Sequence, residues 1–283
     1  MNPSFTTGYF YDIFHKYQKD YDLLTFNCEE SPNVKQDWID NMRNKYGADS
    51  NIYKVRVLGE FAPLNEDVVI RREDMHKAIG REIDEDYSIE EVHIGVDVSS
   101  GESNDYSVIS IRRGFKELER YKVKKKLRQF RNELIGVIEH YASQEDYVYV
   151  KIDTTGLGFQ MGQDLDEYFE DYSNVEINKI NFSHNAIKKK EFSNIFTEMI
   201  FQFKNIVDKV SILDIPESEL EEDLSGRRYG YDFLNRYMAE KKKEFVKRTG
   251  RSPDEGDAVL LAFYDMSGYG TLYETYFNYD EEE

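Results

Sequence analysis

From Glu91 onward the sequence switches between strand-like and helix-like patterns in an order that few sheets accommodate. EVHIGVDVSS, YSVISIRRG and FKELERYKVK read as three strands, the first two joined by the polar turn GESND. LRQFRNELIGVIEHYAS then places Leu134, Ile135, Val137, Ile138 and Tyr141 on one helical face. DYVYVKIDTTG is a fourth strand, GFQMGQDLDEYFEDY a second helix and VEINKINFS a fifth strand; a longer helix follows over roughly 189–204. A three-strand meander followed by helix, strand, helix, strand predicts a mixed α/β sheet flanked by helices, although other α/β folds share parts of that order.

The segment ahead of this sheet is less regular. SPNVKQDWIDNMRNKYG predicts a helix capped by Ser31 or Asn33 and ended by Gly47. In IYKVRVLGEF, Tyr53, Val55 and Val57 alternate with Lys54 and Arg56, which predicts a strand. Another helix is expected around Arg72–Ile79, before the acidic stretch REIDEDYSIEE. The expected divisions are an N-terminal region 1–80, an acidic linker 81–90, an α/β domain 91–270 and an acidic tail 271–283.

The chain carries 37 Lys and Arg against 56 Asp and Glu, a formal net charge of -19. That balance argues at first against a nucleic-acid partner, because phosphate binding needs a cationic surface. Net charge averages over faces, however, and the bases are clustered: Lys122–Arg128, Lys188–Lys190, Arg227 with Arg228, and Lys241–Arg251. The clusters permit DNA binding without demonstrating it. No apolar run approaches the roughly 20 residues a membrane helix needs. The N-terminus lacks the basic and apolar regions of a signal peptide. Cys28, the one cysteine, has no internal disulfide partner, and with no export signal this fits a reducing cytoplasm.

Three aspartates stand out by position. In IGVDVSS the alternation puts Ile94, Val96 and Val98 on one face and Gly95, Asp97 and Ser99 on the other. A carboxylate in such a strand costs several kcal/mol to bury unless it is paired or holds a metal. Asp153 ends the fourth strand just before a glycine-containing turn, where open α/β sheets place ligand groups. In RSPDEGDAVLLAFYDM, Ser252, Pro253 and Glu255 predict a capping box that starts a helix, with Asp257 one turn inside it. Ala258 and Ala262 are small enough to let that helix lie close to a sheet. Carboxylates are the hard oxygen ligands that divalent cations require, and two such cations can activate water against a phosphodiester. With so many acids present, each aspartate also has a bland reading, as a hydrogen-bond acceptor, a helix cap or a solvated surface group.

At these motifs the sequence resembles the large subunit of a tailed-phage terminase, which cuts and packages viral DNA. HIGVDVSSGESNDYSVISIRRG resembles the family's first nuclease strand and hairpin, with its leading aspartate at Asp97. VYVKIDTTGLGFQMGQDLDE resembles the second acidic motif, at Asp153, and KKKEFVKRTGRSPDEGDAVLLAFY the closing motif, at Asp257. HNAIKKKEFSNIFTEMIFQF resembles the family's helix around an asparagine, here Asn194. Asn2 and Pro3 match part of the coupling motif of the packaging ATPase, and residues 31–63 resemble the end of that ATPase domain.

The resemblance implies a ribonuclease H-like nuclease domain that cleaves double-stranded DNA concatemers with Mg²⁺ or Mn²⁺ held by Asp97, Asp153 and Asp257. Asp254 and Asp105 are auxiliary candidates, weighed more as a helix-dipole partner and a turn residue. Lys241–Lys243, Arg227, Arg228 and Lys247–Arg251 would contact phosphates, and DLSGRRYGYDFLNRYMAEKKK would form either a hairpin beside the site or a surface element. No GxxxxGK[ST] phosphate loop occurs in these 283 residues, so residues 1–80 read as a remnant of the motor without its own ATPase activity. Expected partners are DNA, the portal, the small terminase subunit and a separate ATPase chain, in the host cytoplasm and with no membrane. The rival readings are another ribonuclease H-like nuclease, such as a junction resolvase, and a noncatalytic assembly module exposing Phe5, Tyr9, Phe10, Tyr11 and Phe14.

Overall fold

All five expected strands form in the computed structural model, which describes residues 9–61, 68–84, 87, 91–101, 106–144, 146–232, 234 and 236–266. They are β1 (Val92–Asp97), β2 (Ser107–Arg113), β3 (Lys116–Val123), β4 (Val148–Asp153) and β5 (Val175–Ile180). Their order across the sheet is β3-β2-β1-β4-β5. β1 to β3 run antiparallel as a meander, whereas β4 and β5 continue the sheet in parallel. The mixed sheet predicted from the order of patterns is the one observed.

Two helices, α5 (Leu127–Ala142) and α6 (Gly158–Tyr168), cover the face that Val92, Ile94 and Val96 share. Their apolar stripes, Phe130, Leu134, Ile138 and Met161, Leu165, join Ile111, Val150 and Ile152 in one buried core. The opposite face carries α10 (Asp254–Phe263), which packs on β1 and β2 and against α7 (Ile195–Ile206) and α8 (Glu219–Ser225). Gly95 makes that approach possible. A Cβ there would stand 2.1 Å from the Ala258 carbonyl oxygen and 2.4 Å from the Ala262 nitrogen. The small residues anticipated on the helix therefore meet an equally small one on the strand.

By its internal contacts the chain divides into two units, residues 1–68 with 228–235 and residues 69–227 with 236–283. The break falls at Val68 rather than at 80, and α4 (Arg72–Ala78) belongs with the sheet, where Arg72 pairs with Glu221 of α8 at 2.8 Å. Of the segment around Arg227, the short strand β6 (Tyr229–Tyr231) lies in the first unit and β7 (Tyr237–Ala239) in the second.

The first unit holds α1 (Tyr9–His15), α2 (Gln36–Tyr46) and the short turn α3 (Asn51–Tyr53). IYKVRVLGEF is not a strand: α3 runs into a π-helical turn over Lys54–Leu58, ended by Gly59. Tyr53, Val55 and Val57 are buried as expected, but so short an apolar run does not by itself distinguish a strand from a buried helical segment. α2 ends at Gly47 as predicted, yet neither Ser31 nor Asn33 caps it; its first turn begins after Lys35 without a side-chain cap. Phe10, Tyr11 and Phe14 are half-buried rather than exposed, with all three rings packed around Phe61. Phe5, the Asn2–Pro3 match, Asp105 and the tail 271–283 lie outside the described residues.

Candidate functional site

β1 and β4 are parallel neighbours with Val96 beside Ile152, and the next residue on each is an aspartate. Asp97 and Asp153 thus end adjacent strands at the same edge of the sheet, the C-terminal edge where α/β sheets gather ligand groups. The turn after β4 folds tightly back on itself, because Gly158 packs against Asp153: a Cβ would lie 1.8 Å from the Asp153 carbonyl oxygen. Asp257 comes from the first turn of α10, which Gly95 lets settle over β1. The predicted capping box does not form. α10 begins at Asp254 with no side-chain cap. Ser252 instead bonds the Asp254 carboxylate, and Glu255 pairs with Arg120 at 3.0 Å and Lys122 at 2.7 Å.

The carboxylates converge on one ammonium. Lys242 opens α9 (Lys242–Thr249), and its Nζ stands 3.1 Å from Asp257 Oδ2, 3.4 Å from Asp97 Oδ2 and 3.4 Å from Asp254 Oδ1. Those three oxygens therefore lie within two contact lengths of one another. Asp254, weighed from sequence as a helix-dipole partner, is a member of this cluster, and its Oδ2 accepts from the Tyr106 N–H at 2.9 Å. Asp153 accepts from the Thr155 N–H at 2.9 Å. Asp257 is also held from behind, where Arg227 Nη2 donates to its Oδ1 at 2.6 Å. Its Oδ2 is buried and faces the Lys242 ammonium.

Burial dominates the electrostatics. Desolvation pushes Asp97 up to about 8; Lys242 opposes the shift, and Asp257, Asp254 and Asp153 add to it. Asp153 is raised to about 6, again first by burial, with the Thr155 contacts opposing. Burial works against the charge on Lys242, but Asp257, Asp97 and Asp254 outweigh it and raise its affinity for a proton. Lys242 is 42% exposed at the level of the whole side chain. Its stem reaches solvent while its head sits on the acids. Asp223 on α8 backs the cluster. Burial raises it to about 7 against the pull of Arg251, and it accepts from the Gly256 N–H.

Like Lys242, three of the arginines expected on phosphates are engaged by the protein's own acids. Arg227 is 1% exposed, with its guanidinium between the Phe196 and Phe245 rings at 4.8 and 4.5 Å, and serves Asp257. Arg251 is tied to Asp223 and Glu222, and Arg248 to Glu240. Lys241, Lys243 and Lys247 are exposed and have no ion pair among the described residues. Clustering in sequence gave no sign of this division, because the acids that hold Arg227 and Arg251 lie 28 to 30 residues away.

The donor set fits a hard divalent cation: all of it is carboxylate oxygen, and a cation already stands among the oxygens. The carboxylates do not form a closed cage as they stand, and among the described residues no His, Cys, Asp and Glu group is arranged as a finished metal site. The Lys242 ammonium holds the central position.

No protein-family model matches the chain, and no curated protein matches it. Solved structures do. The nuclease domain of the large terminase subunit gp2 of bacterial virus Sf6 aligns at a TM-score of 0.57 and 14% identity, over 70% of this chain and 98% of that one. The fold is that of a terminase nuclease domain. A mutant form of the Sf6 domain, solved with manganese and beta-thujaplicinol, gives the same TM-score at 13% identity, with the same coverage of both chains. The large terminase nuclease of thermophilic phage G20c is 20% identical over 69% of this chain and 96% of that one, at a TM-score of 0.45. Among the described residues no helix is long and apolar enough to cross a membrane.

Proposed function

We propose that the chain is a metal-dependent endonuclease that cuts double-stranded DNA concatemers during phage genome packaging. The observation that carries this reading is the convergence of Asp97, Asp254 and Asp257 on one point, with Asp153 on the strand beside Asp97. A ribonuclease H-like sheet and the manganese-bound Sf6 domain support it.

In this reading Asp97, Asp153 and Asp257 hold Mg²⁺ or Mn²⁺, with Asp254 beside them. When bound, such ions supply an activated water and stabilise the oxygen that leaves the phosphodiester. The protein's own residues set the stage. Arg227 fixes the orientation of Asp257, and Thr155 fixes Asp153. Lys242 neutralises the acids before the metal arrives and remains on a side chain long enough to move toward a phosphate. Lys241, Lys243 and Lys247 meet the DNA backbone, which gives little sequence preference and a steep loss of affinity with salt.

Residues 1–68 are, in the same proposal, the remnant of a packaging ATPase, and the chain works in the host cytoplasm with the portal, the small terminase subunit and a separate ATPase chain. The deciding experiment is cleavage of supercoiled plasmid in Mn²⁺ by wild type and Asp97→Ala. Cleavage by wild type alone is expected. Equal cleavage by both, or by neither across metal and salt conditions, removes the nuclease reading.

A further inference from the structure

A groove of about 430 Å³ opens between β3, at the edge of the sheet, and α5. That volume falls within the range of about 300–1,000 Å³ typical of small-molecule sites. The helix contributes Glu133, Gly136, Val137, His140 and Tyr141, a continuous stripe at i, i+3, i+4, i+7 and i+8. The strand contributes Glu119, Tyr121 and Val123, alternate residues and therefore one face. Ile109, cross-strand from Tyr121, completes an apolar floor with Val123 and Val137.

Gly136 is the informative residue. In mid-helix, glycine costs about 1 kcal/mol relative to alanine. Such a glycine usually has a packing reason, yet a Cβ at Gly136 would meet no atom within 4 Å. What the glycine does is keep the groove open. At one wall, Glu119 accepts from both the Tyr121 and Tyr141 hydroxyls, the latter at 3.3 Å. Among the described residues no cation pairs with it, whereas Glu133 on the helix is paired with Lys125. The groove thus offers one carboxylate held by two phenol hydroxyls and without a cation, then an apolar floor, then a second carboxylate paired with Lys125, which also lines the groove.

We propose that this groove binds a free aliphatic polyamine. One ammonium would sit on Glu119 beside the Tyr121 and Tyr141 hydroxyl oxygens, where the carboxylate charge attracts it and the phenol oxygens can accept from it. The methylenes would lie on Ile109, Val123 and Val137, and a further ammonium would have to displace Lys125 from Glu133. This site is on the sheet face opposite α10 and does not depend on the nuclease reading.

Spermidine titrated calorimetrically into the full chain tests this. Because a chain of net charge -19 attracts any polycation, the comparison is with Glu244→Gln, which removes the same charge from an exposed position on α9. One saturable site is expected, weakened at least about tenfold by Glu119→Gln and by Gly136→Leu, and unchanged in Glu244→Gln. Leucine improves the helix while filling the groove, so Gly136→Leu keeps its fold, and circular dichroism checks that it does. N-acetyl-lysine methylamide, a single ammonium on a peptide, should bind more weakly than spermidine. Absence of a saturable site, equal weakening by all three substitutions, or tighter binding of the lysine derivative overturns the proposal.

Discussion

Arg227 Nη2 and Asp257 Oδ1 meet at 2.6 Å with both side chains 1% exposed, and the guanidinium is stacked between Phe196 and Phe245. Removing one partner of such a pair leaves the other charged and desolvated. Arg227→Leu is therefore expected to cost about 3–5 kcal/mol in urea unfolding. Arg227→Lys should recover only part of that, because an ammonium offers no flat face to the two rings. A leucine variant as stable as wild type would show that the pair contributes nothing to the fold.

Gly95 faces α10 so closely that an added methyl would stand 2.1 Å from the Ala258 carbonyl. Backbone cannot yield there as a flexible side chain would. Gly95→Ala is expected to lose at least about 1–3 kcal/mol, the usual cost of overpacking. It should also lose plasmid cleavage even at temperatures where it stays folded, since α10 carries Asp254 and Asp257. Loss of stability with full cleavage would mean that the helix position is not critical to the site.

The sheet was legible because its strands alternate and its helices repeat on a different period; Asp97 stood out because a carboxylate is costly at its strand position, and Asp153 because it ends a strand at the edge where α/β sheets gather ligand groups. Asp257 followed from its place one turn inside a helix whose small residues face the strand. The cations were not legible. Lys242 lies 145 residues from Asp97, and nothing local distinguishes it from Lys241 or Lys243. Asp254 was undervalued for a similar reason, since its partner Tyr106 is 148 residues away. At the end of VEINKINFSHNAIKKK the helix begins at Ile195 rather than near Lys189, because Asn194 caps it by accepting from the Thr197 N–H at 2.8 Å. The IYKVRV alternation failed as a strand because a run that short carries the same burial pattern in either conformation.

Lys242 stands on three carboxylates, so its removal should separate two effects. Without the ammonium the cluster is more negative and a divalent cation no longer competes with an internal charge. Lys242→Ala is expected to bind Mn²⁺ about tenfold or more tightly by calorimetry. Without metal it should be less stable than wild type, because the buried Asp254 and Asp257 lose the ammonium that offsets their charge. Weaker Mn²⁺ binding in the variant would instead make Lys242 a support for the bound metal.

Asp97 gives a pH dependence whose sign can be fixed. Its folded value of about 8 lies above the ordinary aspartate value near 4, so the folded state takes up a proton that the unfolded chain releases. Stability from this group is complete at low pH and declines as pH rises from about 4 to about 8. Asp153, at about 6, and Asp223, at about 7, have the same sign. Lys242 has a raised value and its stabilising contribution is lost only in strongly alkaline solution, so it does not cancel them in this range. In EDTA, unfolding free energy should therefore fall between pH 6 and pH 8 by about 1 kcal/mol per unit for each group still titrating. Asp97→Asn should flatten that slope and, at pH 8, unfold at higher urea than wild type. Saturating Mg²⁺ should abolish the slope in wild type, because the metal replaces the protons. A metal-free protein that gains stability from pH 6 to pH 8 would mean that Asp97 is ionised and paired throughout.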